Sequence, residues 1–131
     1  MAESPNRPPD PRRGTGRHGE SAAAAWLRLH GYLIVAQNWR CRAGEIDIVA
    51  RDGGTLVFVE VKARTSRAAG LPEESVTPAK RRRLVRLARR FLLDNGLHDV
   101  PCRFDVVTVE RGMAGVPAIR HHVAAFRADG Y

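Results

Sequence analysis

Residues 44–64 read GEIDIVARDGGTLVFVEVKAR: two runs of β-forming residues around a glycine pair, interrupted by Glu45, Asp47, Glu60 and Lys62. Strand side chains alternate. Glu45, Asp47 and Val49 therefore share one face of the first strand, and Leu56, Phe58, Glu60 and Lys62 share one face of the second. Two registers are open. A Gly53–Gly54 loop sets Asp47 opposite Glu60 and Glu45 opposite Lys62, whereas an Asp52–Gly53 loop sets Glu45 opposite Glu60. Either brings two carboxylates side by side, while a three-residue loop without a bulge would send them to opposite faces. Directly opposed like charges cost a strand pair up to about 1 kcal/mol, and more where water is excluded, so a compensating cation is expected. Hard oxygen donors suit Mg²⁺ or Mn²⁺, and Lys62 would then stand beside a bound phosphate. The competing reading is a solvated sheet face with ion pairs through Lys62.

Outward from this hairpin, the chain reads as alternating helices and strands. GESAAAAWLRLH makes a helix from about His18 to His30, closed by Gly31. On it Glu20, Ala23, Ala24 and Leu27 follow helical spacing, so Glu20 lies in line with a small apolar stripe and adds a third inward carboxylate. The other reading of Glu20 is a first-turn acid complementing the helix dipole. Tyr32–Arg40 is a strand, 64–76 a loop, and Thr77 caps a second helix that starts at Pro78 and ends near Asn95. Its stripe is Lys80, Leu84, Leu87, Ala88 and Phe91, which would aim Lys80 at the same cleft. Its other face carries Arg82, Arg83, Arg86, Arg89 and Arg90, a surface suited to successive phosphates. Residues 103–110 and 118–126 are two further strands, and His121 and His122, being adjacent, point to opposite faces. The order αβββαβ with a final strand argues an α/β fold, a mixed and largely antiparallel central sheet flanked by helices.

The 131 residues suit a single domain over 17–131. Residues 1–16 (MAESPNRPPDPRRGTG) are expected as a disordered, basic, Pro/Arg-rich arm. A hydrophobic share of 44% excludes wholesale disorder. Neither a signal-peptide core nor an apolar run of about 18 residues occurs, which points to a cytoplasmic chain with no membrane partner. Cys41 and Cys102 lack metal-site spacing and are expected as buried thiols. Lys+Arg 22 against Asp+Glu 14 gives a net charge of +8 and a pI near 10.9, which favours a polyanionic partner. Every cation but Lys62 and Lys80 is arginine, so compositional bias accounts for part of the excess, while those two positions stand out as places where a compact ammonium is kept.

The string GRHGESAAAAWLRLHGYLIVAQNWRCRAGEIDIVARDGGTLVFVEVKAR, followed by Pro72, Lys80 and RFDVV, resembles the bacterial YraN-like family over roughly residues 16–110. That family looks like a branch of the PD-(D/E)XK nuclease superfamily, in the style of Holliday-junction resolvases. The resemblance implies a restriction-endonuclease-like core and a Mg²⁺-dependent (or Mn²⁺-dependent) endonuclease acting on DNA, at branched or damaged structures, and it admits a homodimer. By position it implies that Asp47 and Glu60 ligate the metal, that the Val61 carbonyl is a further ligand, that Glu20 completes the site and that Lys62 is the catalytic lysine. Glu45 has no counterpart in the superfamily motif, and Ile46 stands where that motif carries proline. Arg103, Asp105 and Lys80 match the string without an assigned role. The alternative is a nucleic-acid-binding module with this fold and no catalysis.

Overall fold

Gly53 and Gly54 close the hairpin: Asp52 pairs with Thr55 and Ile48 with Val59, the first of the two open registers. Gly53 adopts φ +59, which glycine reaches without steric cost. The computed structural model describes residues 14–64 and 76–128. Its elements run α1 (Gly14–Leu29), β1 (Leu33–Cys41), β2 (Gly44–Asp52), β3 (Thr55–Arg64), α2 (Pro78–Asp94), β4 (Cys102–Arg111) and β5 (Pro117–Phe126). This is the expected αβββαβ order with one more strand. Helix α1 begins at Gly14, so Gly14–Gly16, expected in the arm, are helical. Residues 1–13 of that arm, and 65–75 of the expected loop, lie outside the described residues.

The strands form one mixed sheet in the order β1-β2-β3-β4-β5. Neighbours are antiparallel except β3 and β4, which run parallel from Leu56↔Cys102 to Arg64↔Glu110. A parallel step needs a crossover, and α2 lies within it. Alternation along the strands divides the core in two. On one face Ala23, Ala24 and Leu27 of α1 pack on Ile48, Ala50, Val57, Val59 and Val107. On the other, Leu84, Leu87, Ala88 and Phe91 of α2 pack on Val49, Phe58 and Phe104. Phe91 meets Phe58 edge-on at 5.8 Å between ring centroids and Trp39 at 5.4 Å. Each large side chain so buried contributes about 1.5–3 kcal/mol.

Thr77 caps α2 as expected, its Oγ1 accepting from the Lys80 N–H at 3.3 Å, with Pro78 at the first helical position. Lys80 itself is exposed, a correction to its place on the core-facing stripe. Val76, just before the cap, is 2% exposed and fills the end of the stripe, so burial within α2 starts at Leu84. Cys102 is also exposed, at the first position of β4, and Cys41 is half-buried; neither is the buried thiol expected. Among the described residues, no helix is long and apolar enough to cross a membrane.

Candidate functional site

The β2–β3 ladder ends at Ile48↔Val59. Beyond it β2 stays paired with β1 to Gly44, while β3 stays paired with β4 to Arg64, so the two central strands part company. Asp47 stands in the fork. Its Oδ2 accepts a hydrogen bond from the Val61 N–H at 2.8 Å, a side chain taking the place of a backbone partner. Alternation breaks at the same residue. Ile46 packs with the α2-side core and Ile48 with the α1-side core, although strict alternation would put both on one face.

Helix α1 brings the next carboxylate. Gly19 lets the helix approach closely, since a Cβ there would lie 3.1 Å from the Ala63 Cβ on β3, and Glu20 follows it directly. One carboxylate oxygen each from Glu20, Glu45 and Asp47 all lie within 4.8 Å of one another, a spacing that a single cation can span. Arg40 Nε donates to Glu45 Oε2 at 2.8 Å across β1 and β2. Lys62 Nζ lies 3.0 Å from Glu60 Oε2. Burial, and then the negative charge of Glu60, push the Asp47 carboxyl up to about 8; the Val61 N–H and the Lys62 ammonium oppose them, and Glu20 adds to the rise.

Of the residues singled out in the sequence, Glu20 and Asp47 therefore come together, and Glu60 and Lys62 pair beside them. Glu45, which the motif left aside, joins the oxygen cluster. Val61 contributes its N–H to Asp47. An open pocket of about 490 Å³ lies here, its lining including Glu45, Asp47, Glu60, Gly44, Arg40 and Arg83. The cation of α2 that reaches this lining is Arg83, where Lys80 had been expected. It precedes the buried Leu84, and one turn later the Leu87 methyls lie 3.5 and 3.8 Å from where a Cβ on Gly44 would stand. The α2 surface next to Arg83 presents Arg82, Arg86, Arg89 and Arg90, all exposed; Arg90 pairs with Asp94 at 3.0 Å.

A second polar network lies on the α1 face of the sheet, where His121 meets Trp26 of α1 at 5.2 Å between ring centroids. Asp105 is fully buried and accepts from His121 Nε2 at 2.6 Å, the Ala124 N–H at 2.9 Å and Arg103 Nε at 3.1 Å. Arg103 also reaches Asp52 at 2.9 Å and the Tyr32 hydroxyl at 2.7 Å. Burial pushes the Asp105 carboxyl up, but the hydrogen bonds from His121, Arg103 and Ala124 outweigh it and hold it below the usual carboxylate range. This network ties the β2–β3 turn, β4 and the bulge in β5 together. Only the RFD string hinted at it, because its partners are dispersed along the chain.

The chain resembles known proteins along most of its length. The family model described as "Uncharacterised protein family UPF0102" matches residues 19–109. UPF0102 protein STH1475 of Symbiobacterium thermophilum is 53% identical over 116 residues, covering 88% of this chain and 98% of that protein. A UPF0102 protein of Anaeromyxobacter dehalogenans is 50% identical over 121 residues, covering 92% and 90%. Among solved structures, Pyrococcus furiosus SfsA in complex with Ca²⁺ aligns with a TM-score of 0.42 and 14% identity, covering 86% of this chain and 64% of that one. The match spans the α1 glutamate, the central hairpin and the RFDVV strand, the segments on which the YraN-like resemblance rests, and the chain belongs to the UPF0102 family.

Proposed function

We propose that this protein is a Mg²⁺- or Mn²⁺-dependent nuclease that hydrolyses phosphodiester bonds in DNA, at branched or damaged structures, in the cytoplasm. The observation that carries this reading is the meeting of Glu20, Glu45 and Asp47 within 4.8 Å, next to the Glu60–Lys62 pair. The donors suit a hard cation, being carboxylate oxygens from two elements, of which Glu45 and Asp47 line a pocket open to solvent. The elevated Asp47 carboxyl supports the fit, since it reflects negative charge crowded into a partly dry site, which a divalent cation relieves.

In this reading Glu20, Glu45 and Asp47 hold the cation, and Glu60 and the Val61 carbonyl are the further donors that the motif implies. Once bound, the cation polarises a phosphoryl oxygen and offsets the charge that develops on the phosphate. The protein's own groups do the rest. The Val61 N–H fixes the Asp47 rotamer, and Arg40 fixes that of Glu45. Glu60 holds the Lys62 ammonium at the mouth of the fork, where it can donate hydrogen bonds to a phosphoryl oxygen as negative charge grows there. The arginines of α2 line up the flanking phosphates.

The test is cleavage of labelled duplex, single-stranded, flapped and four-way-junction DNA in Mg²⁺ and in Mn²⁺. Wild type is expected to cut at least one substrate, and Asp47→Asn and Lys62→Ala to lose about 10²-fold or more of the rate. Binding without cleavage in either metal would make the protein a nucleic-acid-binding module with no phosphodiesterase activity.

A further inference from the structure

The pocket at the fork joins the two faces of the sheet, and its charges are sorted between them. By strand alternation Glu45, opposite Arg40, lies on the α1 side together with Glu20. Glu60 and Lys62 share the α2 side with Leu56 and Phe58. Asp47 occupies the gap. A cation held by Glu20, Glu45 and Asp47 would therefore sit toward α1, leaving the α2 side of the gap for the group it acts upon. Among the described cations near this gap, Arg40 is held by Glu45 at 2.8 Å and Lys62 by Glu60 at 3.0 Å. Arg83 lines the pocket from α2 and makes no ion pair among the described residues. Its guanidinium is a flat fork of donors that matches two oxygens of one phosphate.

We propose that Arg83 is the phosphate-positioning residue of this site: it binds the same phosphate as the cation, from the opposite side of the sheet. Arg82, Arg86 and Arg89, although on the same helix, contact only neighbouring phosphates. This assignment rests on the nuclease reading and adds to it, because it gives one arginine of a uniformly basic helix a role coupled to the metal. Glu45, held by Arg40, and Arg83 then clamp the two ends of the fork, and the distance between β2 and β3 sets the width of the phosphate slot.

The experiment measures binding, with no need for turnover. Labelled DNA is titrated by fluorescence anisotropy in EDTA and in Ca²⁺, a hard-oxygen probe ion, with wild type, Arg83→Ala, Arg83→Lys and Arg86→Ala. Because cation and arginine share a phosphate, their contributions are coupled. Wild type is expected to bind about tenfold more tightly with Ca²⁺, and Arg83→Ala to keep less than about twofold of that gain. Arg83→Lys should fall between them, and Arg86→Ala should weaken binding equally with and without Ca²⁺. A full Ca²⁺ gain in Arg83→Ala overturns the role of Arg83 and leaves the metal site standing. If wild type itself gains nothing from Ca²⁺, the metal-dependent reading fails and the assignment of Arg83 falls with it. Arg83 is exposed, so both variants should fold, which a thermal melt verifies.

Discussion

The Val61 N–H donates to Asp47 Oδ2 at 2.8 Å just where the β2–β3 ladder ends, so the carboxylate is tied to the neighbouring strand. Burial and the adjacent Glu60 make its ionisation costly, and its carboxyl titrates at about 8 in the folded chain against about 3.9 unfolded. Between those values the folded state holds more proton than the unfolded state, so stability falls as pH rises through this window. Asp47→Asn keeps the acceptor and removes the charge. Without divalent ions, the variant is expected to melt above wild type at pH 8–9, with a gap that closes toward pH 4; each kcal/mol is worth about 4 °C in a chain this size. Parallel melting curves across the range would show that Asp47 ionises at an ordinary pH.

For the proposed cation, the same carboxyl sets the pH dependence of binding. A ligand must be deprotonated, so Mg²⁺ or Mn²⁺ competes with a proton below about 8, and affinity should climb with pH up to that value and then level off. Calorimetry at pH 7 in two buffers of different ionisation enthalpy should find close to one proton released per cation bound. No proton release would mean that the cation binds away from Asp47.

Gly44 opens β2 at φ +145, a conformation that side-chain-bearing residues rarely adopt. Gly44→Ala is expected to cost about 1–3 kcal/mol through backbone strain. The added methyl would meet Leu87 at ordinary contact distance, so sterics add little. Denaturant melts of the variant test the cost, and unchanged stability would show that the segment relaxes freely.

Asp105 is a fully buried acid held by three donors. Asp105→Ala strands Arg103 and the imidazole of His121 and should cost about 3–5 kcal/mol. Because its folded-state carboxyl titrates below the unfolded value, its stabilisation is present above about pH 4 and is lost as pH falls through the lower folded value. Acid unfolding of wild type should therefore be steeper than that of Asp105→Asn. Coincident acid transitions would argue that the network contributes nothing to stability.

On α2, Arg82, Arg86 and Arg89 are exposed on the polar face. Replacing any one with alanine is expected to lower the slope of log affinity for DNA against log salt by about 1, without a preference for sequence. A slope that does not move with all three removed would place the nucleic-acid surface elsewhere.

Much of the architecture was legible in local sequence. Thr77-Pro78 marks the start of α2, Gly53-Gly54 closes the hairpin, and the spacing of Glu20 with Ala23, Ala24 and Leu27 fixes which side of α1 meets the sheet. These signals act over one or two turns of chain, where backbone sterics and side-chain period decide the outcome. They were enough to bring Asp47 and Glu60 to neighbouring strands and Glu20 toward them.

What they could not decide was where β2 and β3 separate. That depends on each strand having a second neighbour, β1 for one and β4 for the other, and on Asp47 supplying the bond that the ladder lacks. The inclusion of Glu45, the substitution of Arg83 for Lys80 at the pocket and the Asp105–Arg103–Tyr32 network arise in the same way, from contacts between residues distant in the chain. Local pattern determined the elements and the faces they bury. Tertiary packing decided which charges meet, because a charge's neighbours are set by how sheets and helices close around it and no local period encodes them.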